Sequence, residues 1–127
     1  GLIDISTLGK IEIFGPDTLE LVSRLYTMRT SNIREGMTGY ALMVDETGIV
    51  IDDGVAARLS ENRFYVTTTS GTSDTRFAEI QRRILEWNLD VDVLAGGAAG
   101  GSREVDGGWR SGRYQALRLR GAAYAAA

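Results

Sequence analysis

Apolar residues recur with two distinct periods along the first 94 positions. At residues 10–14, Ile11 and Ile13 alternate with Lys10 and Glu12, the period-two pattern of a strand. Gly15-Pro16-Asp17 interrupts it and predicts a helix start, with a proline and an acid in the first turn. Leu19, Val22, Leu25 and Tyr26 give that helix one apolar face, and the pattern ends around residues 27–30. A polar stretch through Gly36 leads to a second strand at 40–44. Asp45-Glu46-Thr47-Gly48 then predicts a turn whose glycine suits a left-handed position. Ile49-Val50-Ile51 resumes the strand pattern, and residues 55–59 continue it or begin another. After Ser60-Glu61-Asn62, residues 63–69 are rich in β-formers. Residues 71–74 offer helix caps, and Phe77, Ile80, Ile84 and Trp87 follow at helical spacing, predicting an amphipathic helix of about four turns. Val91-Asp92-Val93 reads as a last strand. The order β-α-β-β-β-α-β predicts an α+β fold, an antiparallel sheet with helices on one face, close to a ferredoxin-like βαββαβ unit.

The periodicity stops near Leu94. Eight of the 16 glycines lie in residues 95–127, which end in an alanine-rich run. The charge also changes sign there, from −6 over residues 1–94 to +3 over 95–127. Residues 1–94 are therefore read as a partial domain. Residues 95–127 are read as a Gly/Ala/Arg-rich tail: a linker, a frameshifted stretch or a segment of uncertain sequence. The chain starts on Gly1 and enters at once an apolar segment, so it is expected to be a fragment of a longer polypeptide.

Composition narrows the chemistry. The chain has neither cysteine nor histidine, which removes thiolate nucleophiles, disulfides, thiolate metal sites and the commonest metal ligand and general base. No metal site is expected. A net charge of −3 without a basic stripe argues against a nucleic-acid partner. No apolar run is long enough to span a bilayer, and no signal-peptide pattern opens the chain, so a cytoplasmic location away from membranes is expected. Any chemistry must come from carboxylates, hydroxyls, tyrosines or a bound cofactor. The most unusual feature is Asp52-Asp53 inside an apolar strand, followed by Gly54. On a strand the two carboxylates point to opposite faces. They either sit at a turn, solvated or capping amides, or place one carboxylate in a pocket where it handles a proton or an amine. Tyr40 is either a half-buried strand aromatic or a stacking surface for a flat ligand. The hydroxyls of Thr67-Thr68-Thr69-Ser70 serve either β-structure and a helix cap or a heteroaromatic ring.

Several blocks taken in order resemble a known family. Leu2-Ile3-Asp4-Ile5-Ser6-Thr7-Leu8-Gly9-Lys10, Gly39-Tyr40-Ala41-Leu42-Met43, Gly48-Ile49-Val50-Ile51-Asp52-Asp53-Gly54 and Tyr65-Val66-Thr67-Thr68-Thr69 resemble the aminomethyltransferase folate-binding domain. The glycine-cleavage T-protein and the sarcosine oxidase α subunit share this domain. Thr7 and Leu8 stand where T-proteins carry His and Met. Ala57 stands where they carry a tyrosine, so the resemblance leans toward the oxidase branch. It implies half of a folate-binding domain with tetrahydrofolate as cofactor, flavin and NAD being bound elsewhere in the parent enzyme. It further implies Asp53 as the catalytic carboxylate, with Leu8, Tyr40, Val55, Val66 and Thr68 lining the cofactor cavity. The implied function is capture, as 5,10-methylenetetrahydrofolate, of the one-carbon unit from oxidised sarcosine, within a hetero-oligomer of other subunits. The alternatives are a stand-alone aminomethyltransferase of the T-protein type and a non-catalytic ferredoxin-like binding module. The 127-residue chain by itself is expected to be inactive, and an uncovered apolar face would favour self-association.

Overall fold

The structure, a computed structural model, describes residues 7–95 in full and the backbone of residue 96 and of three short segments at 102–103, 109–110 and 115–120. Residues 2–6 of the first block above lie outside the described residues. Strand β1 (Gly9–Phe14) is followed by helix α1 (Thr18–Leu25), a 3-10 turn at Thr30–Asn32, and a meander of β2 (Thr38–Val44), β3 (Val50–Ser60) and β4 (Arg63–Thr68). Helix α2 (Ser73–Glu86) and strand β5 (Asp90–Gly96) complete the unit. This is the element order expected from the pattern, and residues 55–59 continue β3 rather than starting another strand.

The sheet order is β2-β3-β4-β1-β5, antiparallel throughout. Within it, β5-β1-β4-β3 is the ferredoxin-like arrangement, in which β4, α2 and β5 straddle β1. Strand β2 adds an outer strand between α1 and β3. Most of the expected tail lies outside the described residues. Within it β6 (Ser102–Arg103) pairs with β7 (Trp109–Arg110), and the backbone of β8 (Gln115–Arg120) runs antiparallel along β5.

Both helices pack on one face of the sheet. Leu21, Val22 and Leu25 of α1 and Phe77, Ile80 and Ile84 of α2 form a single buried cluster with Ile11, Ile13, Phe64, Val66, Val91 and Val93 of the strands. Alternation along the strands sends Tyr40, Asp53, Val55, Tyr65 and Thr67 to the opposite face. Two local features differ from the simple helical reading. Leu21 is fully buried while Leu19 is only half-buried, because α1 turns Thr18, Leu21, Val22 and Leu25 inward. Tyr26 is buried as expected, but as the extended residue that ends α1, bridging to Met43 of β2.

Helix α2 ends in a Schellman arrangement. Asn88, at φ +55°, lets its own N–H reach the carbonyl of Leu85 at 3.2 Å and that of Leu89 reach Ile84 at 3.1 Å. The turn after β2 is built as expected. Gly48 takes φ +85°, and one oxygen of Asp45 accepts bonds from the amides of Thr47 and Ile49 and from the Thr47 hydroxyl.

Candidate functional site

The Asp-Asp pair lies within β3, not in a turn, so strand geometry divides it. Asp52 opposes Met43 on the helix side and is 8% exposed. Asp53 opposes Leu42 on the other face and is exposed. There the hydroxyl of Tyr40 donates to Asp53 Oδ2. Tyr40 itself opposes Val55, and the two are 63% and 40% exposed. The result is a solvent-facing strip of one aromatic ring, one aliphatic side chain and one carboxylate. The bond to Asp53, then desolvation and the Asp53 charge, raise the Tyr40 phenol above its usual range.

Between residues 52 and 55 the connection of β3 to β4 is unusual. The backbone pairing of the two strands starts only at Ala56 opposite Val66. Nearer the site, side chains make the connection. The Val55 amide donates to the Thr67 hydroxyl at 2.9 Å. Asp52 Oδ1 accepts the amide of Asp53 at 2.8 Å, the amide of Thr69 at 3.0 Å and the Thr69 hydroxyl at 2.8 Å. Asp52 Oδ2 accepts the Thr72 hydroxyl at 2.6 Å and lies 3.8 Å from Arg76 Nε. Thr72 is the residue before α2, yet its hydroxyl caps no helix amide and serves Asp52 instead. The carboxylate thus stands beside the positive end of α2, where negative charge is favoured.

Burial pushes the Asp52 carboxyl upward, but the bonds from Thr72, Thr69 and the Asp53 amide outweigh it and hold the group below the usual carboxylate range. A depressed folded value stabilises the fold above the unfolded pKa, about 3.9 for aspartate, and that stabilisation is lost as pH falls through the folded value. Acid titration of the protein, followed by circular dichroism, is therefore expected to show a steeper stability loss below about pH 3.9 than the Asp52→Asn variant. Identical acid limbs would refute the assignment. Nearby, burial and the Asp52 charge raise the Tyr26 phenol far above its usual range, with Arg76 opposing.

The residues expected at a site are only partly gathered. Asp53, Tyr40 and Val55 share the exposed face. Leu8, half-exposed, immediately precedes β1, and its carbonyl accepts from Lys10 Nζ at 2.7 Å. Val66 and Thr68 lie on the helix side of β4, Val66 in the core and Thr68 only 2% exposed with its hydroxyl on the Thr69 carbonyl. The threonine hydroxyls at 67, 68, 69 and 72 thus all serve internal bonds. Sequence reading missed the role of Thr72 and Arg76 beside Asp52. Their only signal was their place at the start of α2, about 20 residues from the acid pair. Among the described residues no cluster of acids, histidines or cysteines could hold a metal ion, and no helix is long and apolar enough to cross a membrane.

Comparison with known proteins agrees with this architecture. Over 75 residues, 58% of this chain and 8% of the relative, the sequence is 47% identical to the sarcosine oxidase subunit alpha of Corynebacterium sp. (strain U-96). It is 34% identical over 94 residues to a probable aminomethyltransferase of Natronomonas pharaonis, covering 73% of this chain and 26% of that one. The crystal structure of the glycine cleavage system aminomethyltransferase T from Bartonella henselae superposes with a TM-score of 0.67 at 27% identity, over 72% of this chain and 25% of that one. The chain therefore spans about a quarter or less of the relatives it matches. The GCVT N-terminal domain matches residues 1–99. That match covers well over half of the chain, which belongs to the GCVT N-terminal domain family.

Proposed function

We propose that the chain is part of the folate-binding domain of a sarcosine oxidase α-like subunit. There it takes part in capturing, as 5,10-methylenetetrahydrofolate, the one-carbon unit released when sarcosine is oxidised. The observation that carries the reading is the Tyr40–Asp53 pair, an exposed carboxylate held by a phenol beside an aromatic and an aliphatic surface. The 47% identity to a sarcosine oxidase subunit alpha supports the oxidase assignment, as does Ala57, which faces Tyr65 across the strands where a T-protein would carry a tyrosine.

The residues present fit a flat, nitrogen-rich ligand. Tyr40 and Val55 offer a face for a heteroaromatic ring, and Asp53 offers an anionic acceptor whose remaining lone pairs are open to solvent. Tetrahydrofolate, when bound, supplies the nitrogens that accept the one-carbon unit. Asp53 orients those nitrogens and stabilises positive charge beside them, and Tyr40 keeps its carboxylate in one orientation. Leu8 borders the ligand from the start of β1. Val66 and Thr68 act from the helix side by fixing β4 under the site. Capture of this kind needs proximity and alignment more than a strong acid or base. Flavin and NAD chemistry, and the other subunits of a cytoplasmic hetero-oligomer, belong to other parts of the parent.

The test is the full-length protein supplied with sarcosine and tetrahydrofolate, with methylenetetrahydrofolate and formaldehyde both measured. The folate product is expected to predominate. Tyr40→Phe should lower its share several-fold and leave amine oxidation unchanged, since it removes the hydrogen bond that orients the Asp53 carboxylate. An unchanged share in Tyr40→Phe would remove Tyr40 from the site. A second reading, a stand-alone aminomethyltransferase, has the 34% identity over 94 residues in its favour. Turnover of an aminomethyl-lipoyl donor without amine oxidation would establish it. No binding of tetrahydrofolate in a calorimetric titration would leave only a non-catalytic ferredoxin-like module.

A further inference from the structure

We propose that Asp52 is a positioning residue for Asp53, and that the pair divides into one carboxylate that acts and one that aligns it. The inference rests on the proposed function of Asp53. Three features of the corner where β3, β4 and α2 meet lead to it.

First, the segment 52–55 has no backbone pairing to β4. Asp52 accepts four hydrogen bonds, and three of them, with the single bond from Val55 to Thr67, set the segment's position relative to β4 and α2. Second, one of those four bonds comes from the amide of Asp53 itself, so the acceptor on one face holds the backbone that aims the side chain on the other. Third, the remaining bonds anchor Asp52 to Thr69 and Thr72, which are 17 and 20 residues away and lead into α2. The β2–β3 ladder holds both residues in register, Tyr40 opposite Val55 and Asp53 opposite Leu42. Loss of Asp52 would therefore release the peptide that aims the Asp53 carboxylate, and the anchor of β3 to Thr69 and Thr72, while the β2–β3 ladder keeps the aromatic surface in place.

What matters in this arrangement is acceptor geometry. An asparagine at position 52 keeps Oδ1 for the amides of Asp53 and Thr69 and for the Thr69 hydroxyl. Its Nδ2 can donate to the Thr72 hydroxyl, which still has the Thr69 carbonyl as acceptor at 3.1 Å. At position 53, by contrast, the charge itself is needed, so the same substitution should have opposite outcomes at the two neighbours.

The experiment uses the full-length enzyme and the variants Asp52→Ala, Asp52→Asn, Thr72→Val and Asp53→Asn. The ratio of methylenetetrahydrofolate formed to sarcosine oxidised and the Kd for tetrahydrofolate by calorimetry are read below the melting transition, and Tm is measured separately. An ångström of misplacement can cost about 100-fold, so Asp52→Ala is expected to lower the ratio by about tenfold or more. Kd should stay within about twofold, because the binding surface is intact and only the alignment is lost. Asp52→Asn should restore the ratio, and Thr72→Val, which removes one of the four bonds and leaves the Asp52 carboxylate in place, should lower it several-fold. If Asp52→Ala leaves the ratio unchanged while Asp53→Asn lowers it, the positioning role is wrong. If the ratio and Tm fall while Kd rises with them, Asp52 is only structural and the proposal is overturned. If Asp53→Asn also has no effect, the folate reading of the site fails first and takes the proposal with it.

Discussion

In the full-length enzyme, Asp53→Asn is expected to lower the yield of methylenetetrahydrofolate per sarcosine oxidised by about 100-fold, the scale of losing a positioned charge or proton carrier at a reacting centre. Amine oxidation should be unchanged, because the proposed oxidation site lies elsewhere in the parent. Three properties make the substitution diagnostic. Asparagine is nearly isosteric, so β3 keeps its pairing with β2, which the backbone makes opposite Leu42. The Tyr40 hydroxyl can still donate to the amide oxygen, so the local geometry survives. What disappears is the negative charge on an exposed side chain that contributes nothing to the core, and Tm should change little. Quantifying folate product and formaldehyde in the same reaction checks the result. An unchanged product ratio would remove Asp53 from the reaction.

Gly54→Ala is expected to have the largest structural effect. An added Cβ would lie 2.2 Å from the Thr67 carbonyl oxygen and 2.9 Å from its carbonyl carbon. These are backbone atoms of β4, so no rotamer change relieves the clash and one strand must move. Overpacking of this kind costs about 1–3 kcal/mol. The movement would also break the Val55–Thr67 bond and shift the segment that carries Asp52 and Asp53. Tm and the folate product ratio should therefore fall together. Gly71 is the control: nothing lies within 4 Å of its added Cβ, and Gly71→Ala should stay within about 0.5 kcal/mol of the parent. A Gly54→Ala protein with unchanged Tm would show that β3 and β4 are farther apart here than the structure places them.

Much of this was legible from the pattern of residues. Ile11 and Ile13 alternating with Lys10 and Glu12 marked β1, and Phe77, Ile80 and Ile84 marked the inward stripe of α2, because strand and helix periods are properties of local geometry. Gly48 marked its turn for the same kind of reason. The prediction that Asp52 and Asp53 face opposite ways also held, since it needs only that they share a strand.

Which carboxylate would be buried and which exposed was not legible, because that depends on which face the helices cover. The same uncertainty split the expected site residues. Val66 and Thr68 differ from Thr67 only in strand parity, yet parity alone puts them with the helices and not with Tyr40. Tyr26 looked helical by spacing but is extended, because α1 ends at Leu25 and the chain turns to reach Met43.

By itself, then, the sequence determined the order and type of the elements, the turn at Gly48 and the opposition of the two acids, all of which follow from near-neighbour geometry. Only the tertiary structure decided the strand order, the face on which Asp53 stays exposed, the Tyr40–Asp53 contact and the hold of Thr69 and Thr72 on Asp52. The side-chain contacts join residues 13 to 20 positions apart and the strand pairings join residues as distant as Lys10 and Gly96; both are set by how the sheet and helices pack, which no local period encodes.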